Sequence, residues 1–532
     1  MDTTKTSQML GGGGDSIGEA HPISIPENQE YCPPLGLEAS LCLLSDGMLH
    51  VSMGAKTQPE IVSYIARVRR LFRQSGREIQ VIDSDIQTIG QLYKLGQRGA
   101  KRIDSSTTQR ICNQLILDAV KAGSSDIHIR IERNRTRVFF RVLGDLVEQR
   151  QHEQTLEIGQ FLIRTLYVSM SDESDATYKE RERQDAVIND PSKLPAGLFG
   201  VRIVRAPTNV GEIMVLRILY DTSSSQGTLG ALGYADNQLS SIEAMMAKPT
   251  GINFISGPTG SGKSTTLQRA LAQVFGETMG RKNIVTVEDP TEYVITGAVQ
   301  TSVTNASTDE ERARQFVGAI RAAMRMDPDI IMISEVRDFA SARAALQASM
   351  TGHQVYTTIH ANSAMHIFDR LLDLGMDLSL LTDETLVTGL VAQRLVKQLC
   401  PHCKLPLQEA LSKSQAISRR QMDRIFKTVK LGGGVEGVCL KGDGCDKCRG
   451  SGYTGRTVVA EVIAPDGIFM DYMRSRDKRA AERHWRTKLG GVSMMGHAID
   501  KISAGLIDPR DVESQLGFLT DELNRLDFLK AS

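Results

Sequence analysis

The sequence predicts an α/β protein, a mainly parallel sheet preceded by an α+β domain, and three observations carry that reading. Between Thr228 and Leu399, short apolar runs alternate with amphipathic stretches, the pattern of strands and helices in a sheet covered on both faces. One of those runs leads directly into the glycine-rich segment Gly257-Pro258-Thr259-Gly260-Ser261-Gly262-Lys263-Ser264. Ahead of it, segments such as Ile127-His128-Ile129-Arg130-Ile131 alternate apolar with polar residues, as strands with one wet face do.

The length of 532 residues corresponds to three or four domains at about 100–200 residues each. Hydrophobic residues make up 41% and charged residues 24%, a globular balance that excludes collagen-like and wholly disordered chains. The longest apolar runs, such as Ile330–Ile333, fall far short of the ~20 residues that cross a bilayer. The N-terminal MDTTKTSQML has no basic region followed by an apolar stretch, so no signal peptide is expected. Lys plus Arg and Asp plus Glu both number 63, which argues against bulk nucleic-acid binding. A single Trp leaves few stacking platforms for bases. A cytosolic protein is expected.

Taken in order, residues 1–30 read as disordered, with Gly11–Gly14 and a polar stretch around Pro22 and Pro26. Residues 31–104 form a small domain or a set of docking helices, with Ile61, Tyr64, Ile65, Val68, Leu71 and Phe72 at helical spacing. The α+β domain spans 105–221. In it Ile111–Val120 reads as a helix, and Asp126–Ile131, Arg137–Val142, Gly200–Val204 and Glu212–Leu219 as strands. A hydrophilic linker covers 221–227. The core, 228–399, has strand-like runs at Ile252–Ser256, Asn283–Val287, Ile330–Ser334 and Val355–Ile359, and a helical face at Ala313, Phe316, Val317, Ile320 and Met324. Residues 400–456 carry paired cysteines, and 457–532 read as a helical end region.

The glycine-rich segment matches the G-x-x-x-x-G-K-[ST] phosphate loop and lies between a strand and a helix, the context that motif requires. Its glycines turn backbone N–H groups onto phosphates, and the helix N-terminus favours anions. Gly257 through Thr265 are the nucleotide-binding residues. Lys263 reaches the β/γ-phosphates and Ser264 offers a hydroxyl to Mg²⁺. The strand Ile330–Ile333 is followed by Ser334-Glu335, which makes Glu335 a carboxylate for the Mg²⁺ shell. Asn283–Val287 ends in Glu288-Asp289-Pro290-Thr291-Glu292, and Glu288 is the candidate base for the attacking water. Glu292 reads equally well as a surface turn. His353 and His360 flank Gln354–Ile359, where a γ-phosphate sensor would lie. Arg202 and Arg217, on strand segments, read by pattern alone as a solvated face.

Eight cysteines are too few for a disulfide scaffold. Cys400, Cys403, Cys445 and Cys448 form two Cys-x-x-Cys pairs, a tetrathiolate set for structural Zn²⁺. Residues 404–444 separate them, more than the ~15–20 usual for this pattern, so the pairs bracket an inserted segment. Gly444 and Gly450 are expected to help the backbone donate N–H bonds to sulfur.

These motifs, in this order from about Ile111 to about Gly517, resemble the secretion ATPase superfamily that drives type II secretion and type IV pilus assembly. Ser125-Asp126-Ile127-His128-Ile129, Gln184-Asp185, the Arg202–Arg217 block, the acidic box at 288–292, Glu335-Val336-Arg337-Asp338 and the histidine box from Thr351-Gly352-His353 to His360-Ala361-Asn362 follow its pattern. The resemblance implies a RecA-like P-loop NTPase core, a preceding PAS-like α+β domain and a zinc-binding C-terminal module. It implies a homo-hexameric ring at the cytoplasmic face of the inner membrane, with ATP, Mg²⁺ and Zn²⁺. By the same resemblance Arg202 and Arg217 are arginine fingers lent by a companion subunit, and an inner-membrane platform protein is the partner, with pilins engaged indirectly. The resemblance implies that the motor powers assembly of a type IV pilus, a conjugative thin pilus included, or type II protein secretion. Ser334 replaces the family's usual Gly, and Ala361 its usual Thr. A DNA translocase and a non-hydrolysing nucleotide switch are the competing readings. Charge balance opposes the first, and retention of both Glu288 and Glu335 opposes the second.

Overall fold

The computed structural model describes residues 22–24, 30–33, 37, 40–85, 87–90, 92, 105–174, 177–221, 227–303, 308–412, 417–429 and 434–531. The disorder expected for residues 1–30 falls almost wholly outside these, as does most of the 221–227 linker. Two compact units, Met1–Arg110 and Ile111–Ser532, make up the chain.

In the first unit, strands Leu41–Leu43 and Met48–Ser52 pair antiparallel, and Met48–Ser52 pairs parallel with Gln80–Ser84. The crossover is the helix Pro59–Gln74, started by a proline in its first turn. The helical spacing seen in the sequence is its buried face: Ile61, Tyr64, Val68 and Phe72.

The second unit opens with an antiparallel sheet. Its central strands are Arg135–Val142, Ser124–Ile131, Gly211–Tyr220, Leu198–Thr208 and Gln184–Ile188, in that order. Alternation assigns the faces. Ile127 and Ile129, Leu216 and Met214, and Val201 and Ile203 point inward with Leu115, Ile116, Leu162 and Ile163 from the helices Ser105–Lys121 and Leu156–Arg164. The opposite face therefore carries Asp126, Arg217 and Arg202. Pairing places them in one row, Asp126 opposite Arg217 and Arg217 opposite Arg202.

The core is a seven-stranded sheet in the order Ala298–Ser302, Ile284–Glu288, Ile330–Ile333, Gln354–Ile359, Gly251–Ser256, Val387–Leu399 and Tyr453–Ile463. The first six run parallel, and the last pairs antiparallel. Asp309–Ala323 and Phe339–Met350 cover one face. Asp236–Ala247 and Lys263–Glu277 cover the other. Burial on both faces explains the uninterrupted apolar runs.

The sheet does not end at Leu399. Val387–Leu399 and Tyr453–Ile463 are neighbours, with Leu399 opposite Tyr453, so the cysteine segment is an excursion between two strands. Residues 457–463, read as the start of a helical end region, continue the second strand. Helices then follow from Gly467–Arg474 to Thr520–Ala531.

Candidate nucleotide site and metal cluster

Parallel pairing brings the motif residues to one edge. Ser256 is level with Ile359, and Thr357 with Ile333 and Val287. The phosphate loop, Glu288, Glu335 and His360 all emerge just beyond those positions. In the loop Gly257 has φ 147° and Gly262 φ 86°. A Cβ at Gly257 would stand 2.4 Å from the Gln393 carbonyl oxygen, so only glycine fits. Lys263, first residue of the helix Lys263–Glu277, donates from Nζ to the carbonyls of Gly257 at 2.8 Å and Pro258 at 3.3 Å. Burial pulls its pKa below the ordinary lysine value, while Glu335 and Glu292 act against that shift.

The acidic box contributes two differently placed carboxylates. Glu288 is buried, and its Oε1 accepts from Thr286 Oγ1 at 2.7 Å and Gln300 Nε2 at 2.8 Å. Burial raises its pKa, and those donors only partly offset the shift. Glu292 accepts from Ser264 Oγ at 3.2 Å, which takes it out of the surface-turn reading and into the site. Hydroxyl and carboxylate oxygens side by side suit a hard divalent cation such as Mg²⁺. Asp289 pairs with Arg312 at 3.0 Å and Arg337 at 3.5 Å. Glu335 is held between His360 Nε2 at 2.9 Å and Arg337 Nε at 3.0 Å.

His353 is not brought to this edge. It precedes Gln354 at the start of a six-residue strand, roughly 20 Å from the phosphate end at about 3.3 Å per residue. Its Nδ1 lies 2.9 Å from the Ala348 carbonyl and 3.1 Å from Thr351 Oγ1. The sequence marks both ends of this strand with histidine, but only the pairing shows which end faces the loop.

Of the arginine row of the α+β domain, Arg217 is the member that senses this edge. Arg217 Nε donates to Asp126 at 3.1 Å. Burial opposes its charge, yet Asp126, with Glu292 of the acidic box and the adjacent Tyr293, keeps its pKa above the ordinary value. Arg217 is therefore within electrostatic reach of its own chain's site. Arg202 stands beside it in register. Gln184 has a different job: it accepts from the fully buried Arg205 at 2.9 Å, and that guanidinium also bonds Glu212 at 3.0 Å and stacks on Tyr178.

The four cysteines converge as their spacing predicts. Because Leu399 and Tyr453 are paired, Cys400 N–H bonds the Gly452 carbonyl at 3.0 Å, and the two Cys-x-x-Cys turns face each other. All four Sγ atoms lie within 4.8 Å of one another. Three pairs, Cys400–Cys445, Cys403–Cys448 and Cys445–Cys448, are at 3.8 Å. A tetrahedral Zn²⁺ with Zn–S bonds of about 2.3 Å requires Sγ–Sγ edges of roughly 3.8 Å, so the donor set fits. The N–H donors to Cys448 Sγ are Cys445 and Gly452, each at 3.2 Å. Gly444 instead lets backbone pass backbone, a Cβ there falling 2.3 Å from the Gly450 carbonyl oxygen, and Gly450 supplies a left-handed turn at φ 76°.

Sequence reasoning gave no role to Gln393. Buried in the strand Val387–Leu399, it donates from Nε2 to the phosphate-loop carbonyl of Ser261 at 2.8 Å. Its one signal is an amide among Val391, Ala392 and Leu395, a buried polar group that must find partners.

Residues 101–515 match the family described as "Type II/IV secretion system protein". The chain belongs to this family. It is 34% identical over 411 residues to type II secretion system protein E of Dickeya dadantii, covering 76% of this chain and 74% of that one. It is 32% identical over 410 residues to type II secretion system ATPase E of Vibrio cholerae, covering 77% and 75%. In fold it is similar to the ATPase DotB of Legionella pneumophila, with a TM-score of 0.51 at 21% identity over 75% of this chain and 94% of that one. The chain is thus a secretion ATPase with a RecA-like core, and its Cys₄ cluster is compatible with zinc. No helix among the described residues is long and apolar enough to cross a membrane.

Proposed function

We propose that this ATPase is the hexameric motor of type IV pilus assembly, including a conjugative thin pilus, or of type II secretion. It would work at the cytoplasmic face of the inner membrane through a platform protein, engaging pilins indirectly and no nucleic acid. One observation carries the reading: phosphate loop, Glu288, Glu292 and Glu335–His360 share one sheet edge, with Arg217 of the α+β domain in reach of it.

In this reading Gly257 through Thr265 cradle the triphosphate, and Lys263 leaves the Gly257 carbonyl to meet the β/γ-phosphates. Ser264 and Glu292, with Glu335 through water, would hold Mg²⁺, which supplies charge neutralisation on the phosphate oxygens. Glu288, kept basic by burial, orients and deprotonates the attacking water. His360, fixed by Glu335, faces the γ-phosphate. Arg217 and Arg202 neutralise charge developing in the transition state. Within the single chain Arg217 feels the charge of Glu292, and on this reading the supply is in cis rather than a loan from a companion subunit. Cys400, Cys403, Cys445 and Cys448 would hold a structural Zn²⁺ that ties the ends of the excursion together. By the family resemblance, in which retraction motors usually lack such a cysteine module, its presence favours assembly or secretion.

The test is steady-state hydrolysis. Lys263→Ala abolishes turnover and weakens nucleotide binding, whereas Glu288→Gln binds ATP without turning it over. Normal activity in both variants would refute the reading. Stimulation of turnover by DNA, steeply weakened by salt, would favour the DNA-motor alternative.

A further inference from the structure

The phosphate loop is tied by one buried amide to the segment through which the chain enters the core. Gln393, fully buried, donates from Nε2 to the Ser261 carbonyl at 2.8 Å. Its Oε1 accepts from Tyr234 Oη at 2.5 Å and from Thr266 Oγ1 at 3.0 Å. Both lone pairs of that oxygen are thereby used, which fixes the amide orientation and aims the N–H at the loop. Tyr234 lies just downstream of the hydrophilic stretch from the α+β domain, and it too is buried. Its neighbour Gly233 adopts φ 101° and its carbonyl accepts from Lys501 Nζ at 2.6 Å. A phenol held on that anchored backbone thus sets an amide that sets the loop. In a buried site such a relay is stiff, because each unmade bond leaves a desolvated polar atom.

We infer that Gln393 is a positioning residue for the phosphate loop, and that Tyr234 couples nucleotide affinity to the entry segment 229–235. The inference rests on the ATPase reading of the site. Coupling is reciprocal: nucleotide that settles the loop must also settle the entry segment.

The experiment uses the full chain and mant-ADP. Tyr234→Phe keeps the ring and deletes the hydroxyl, and it should weaken mant-ADP binding about three- to tenfold, the scale of one hydrogen bond. In wild type, ADP should slow hydrogen exchange at the amides of 229–235, and Tyr234→Phe should lose that protection while keeping a normal nucleotide-free exchange pattern elsewhere. A general structural defect would not remove a nucleotide-dependent difference selectively. If Tyr234→Phe does not fold, Thr266→Val deletes the other donor to Oε1 and should give the same weakening and the same loss of protection. Wild-type affinity together with wild-type protection in the folded variant overturns the coupling. Failure of the wild-type chain to bind mant-ADP overturns the site reading and the coupling together, so the two failures are distinguishable.

Discussion

Acidification should destabilise the C-terminal packing through one histidine. His497 is 2% exposed on the helix Met494–Ser503, and its Nδ1 accepts from the Ala460 N–H at 3.1 Å. Burial, reinforced by the nearby Lys501 ammonium, lowers its pKa from 6.5 to about 4. The unfolded chain takes up a proton near 6.5 and the folded chain only near 4, so between these values the unfolded state binds more protons. Stability is therefore full above pH 6.5 and is lost as pH falls toward 4. At 1.36 kcal/mol per unit the whole shift amounts to about 3 kcal/mol. Going from about pH 7.5 to 5.5 would already cost roughly 1.3 kcal/mol. Trp485 is the chain's single tryptophan, buried, with its indole N–H on the Val462 carbonyl at 3.0 Å. It shares a strand contact with His497, so its fluorescence in urea reports unfolding where the histidine acts. The denaturation midpoint should fall between pH 7.5 and 5.5 in wild type, and His497→Gln should show a much flatter dependence even if less stable throughout. Equal pH dependence in the two proteins would refute the reasoning.

Cys445→Ser should remove metal from the purified protein, measured by elemental analysis, and lower the melting temperature before it alters nucleotide affinity; zinc-finger peptides draw ~10–16 kcal/mol from such a site. Native protein without zinc would contradict the tetrathiolate assignment. The acid limb of the kcat profile should lie above the ordinary carboxylate pKa of 4.5, because burial raises Glu288, and Glu288→Gln should abolish turnover at every pH. Arg205→Met should unfold the α+β domain, since it leaves Gln184 and Glu212 without their buried cation. Loss of its circular dichroism signal at lower temperature checks this.

The parts legible in the sequence were those whose physics is local. Ile330–Ile333 and Val355–Ile359 are buried on both faces and read as apolar or β-branched runs; the phosphate loop needs glycine where the backbone is left-handed; paired thiols at two-residue spacing announce a cluster of four thiols. What escaped depends on partners far along the chain. Val387–Leu399 carries Gln393, Arg394, Lys397 and Gln398, so no apolar run marks it. Its role follows only from lying between the phosphate-loop strand and Tyr453–Ile463. Ala298–Ser302 is a short polar edge strand, indistinguishable from a loop. Glu292 became a site residue only through its bond to Ser264, and His353 left the site because a strand's sequence does not tell its two ends apart. The arginines were legible only by resemblance. A strand arginine reads as solvated until the pairing of Asp126, Arg217 and Arg202 puts them on one face and Arg217 is found to feel Glu292.

The central claim is that the α+β domain completes the hydrolytic site with Arg217, and single-turnover hydrolysis tests it most directly. ATP bound in excess enzyme should be cleaved about 10³-fold or more slowly by Arg217→Ala than by wild type, the scale of a lost arginine finger, with nucleotide still bound. In the proposed hexamer, rings mixed from Arg217→Ala and Lys263→Ala subunits should stay inactive, because the proposal has each arginine serve its own chain. Wild-type cleavage by Arg217→Ala would contradict the claim, and recovery of activity in the mixed rings would contradict its supply in cis.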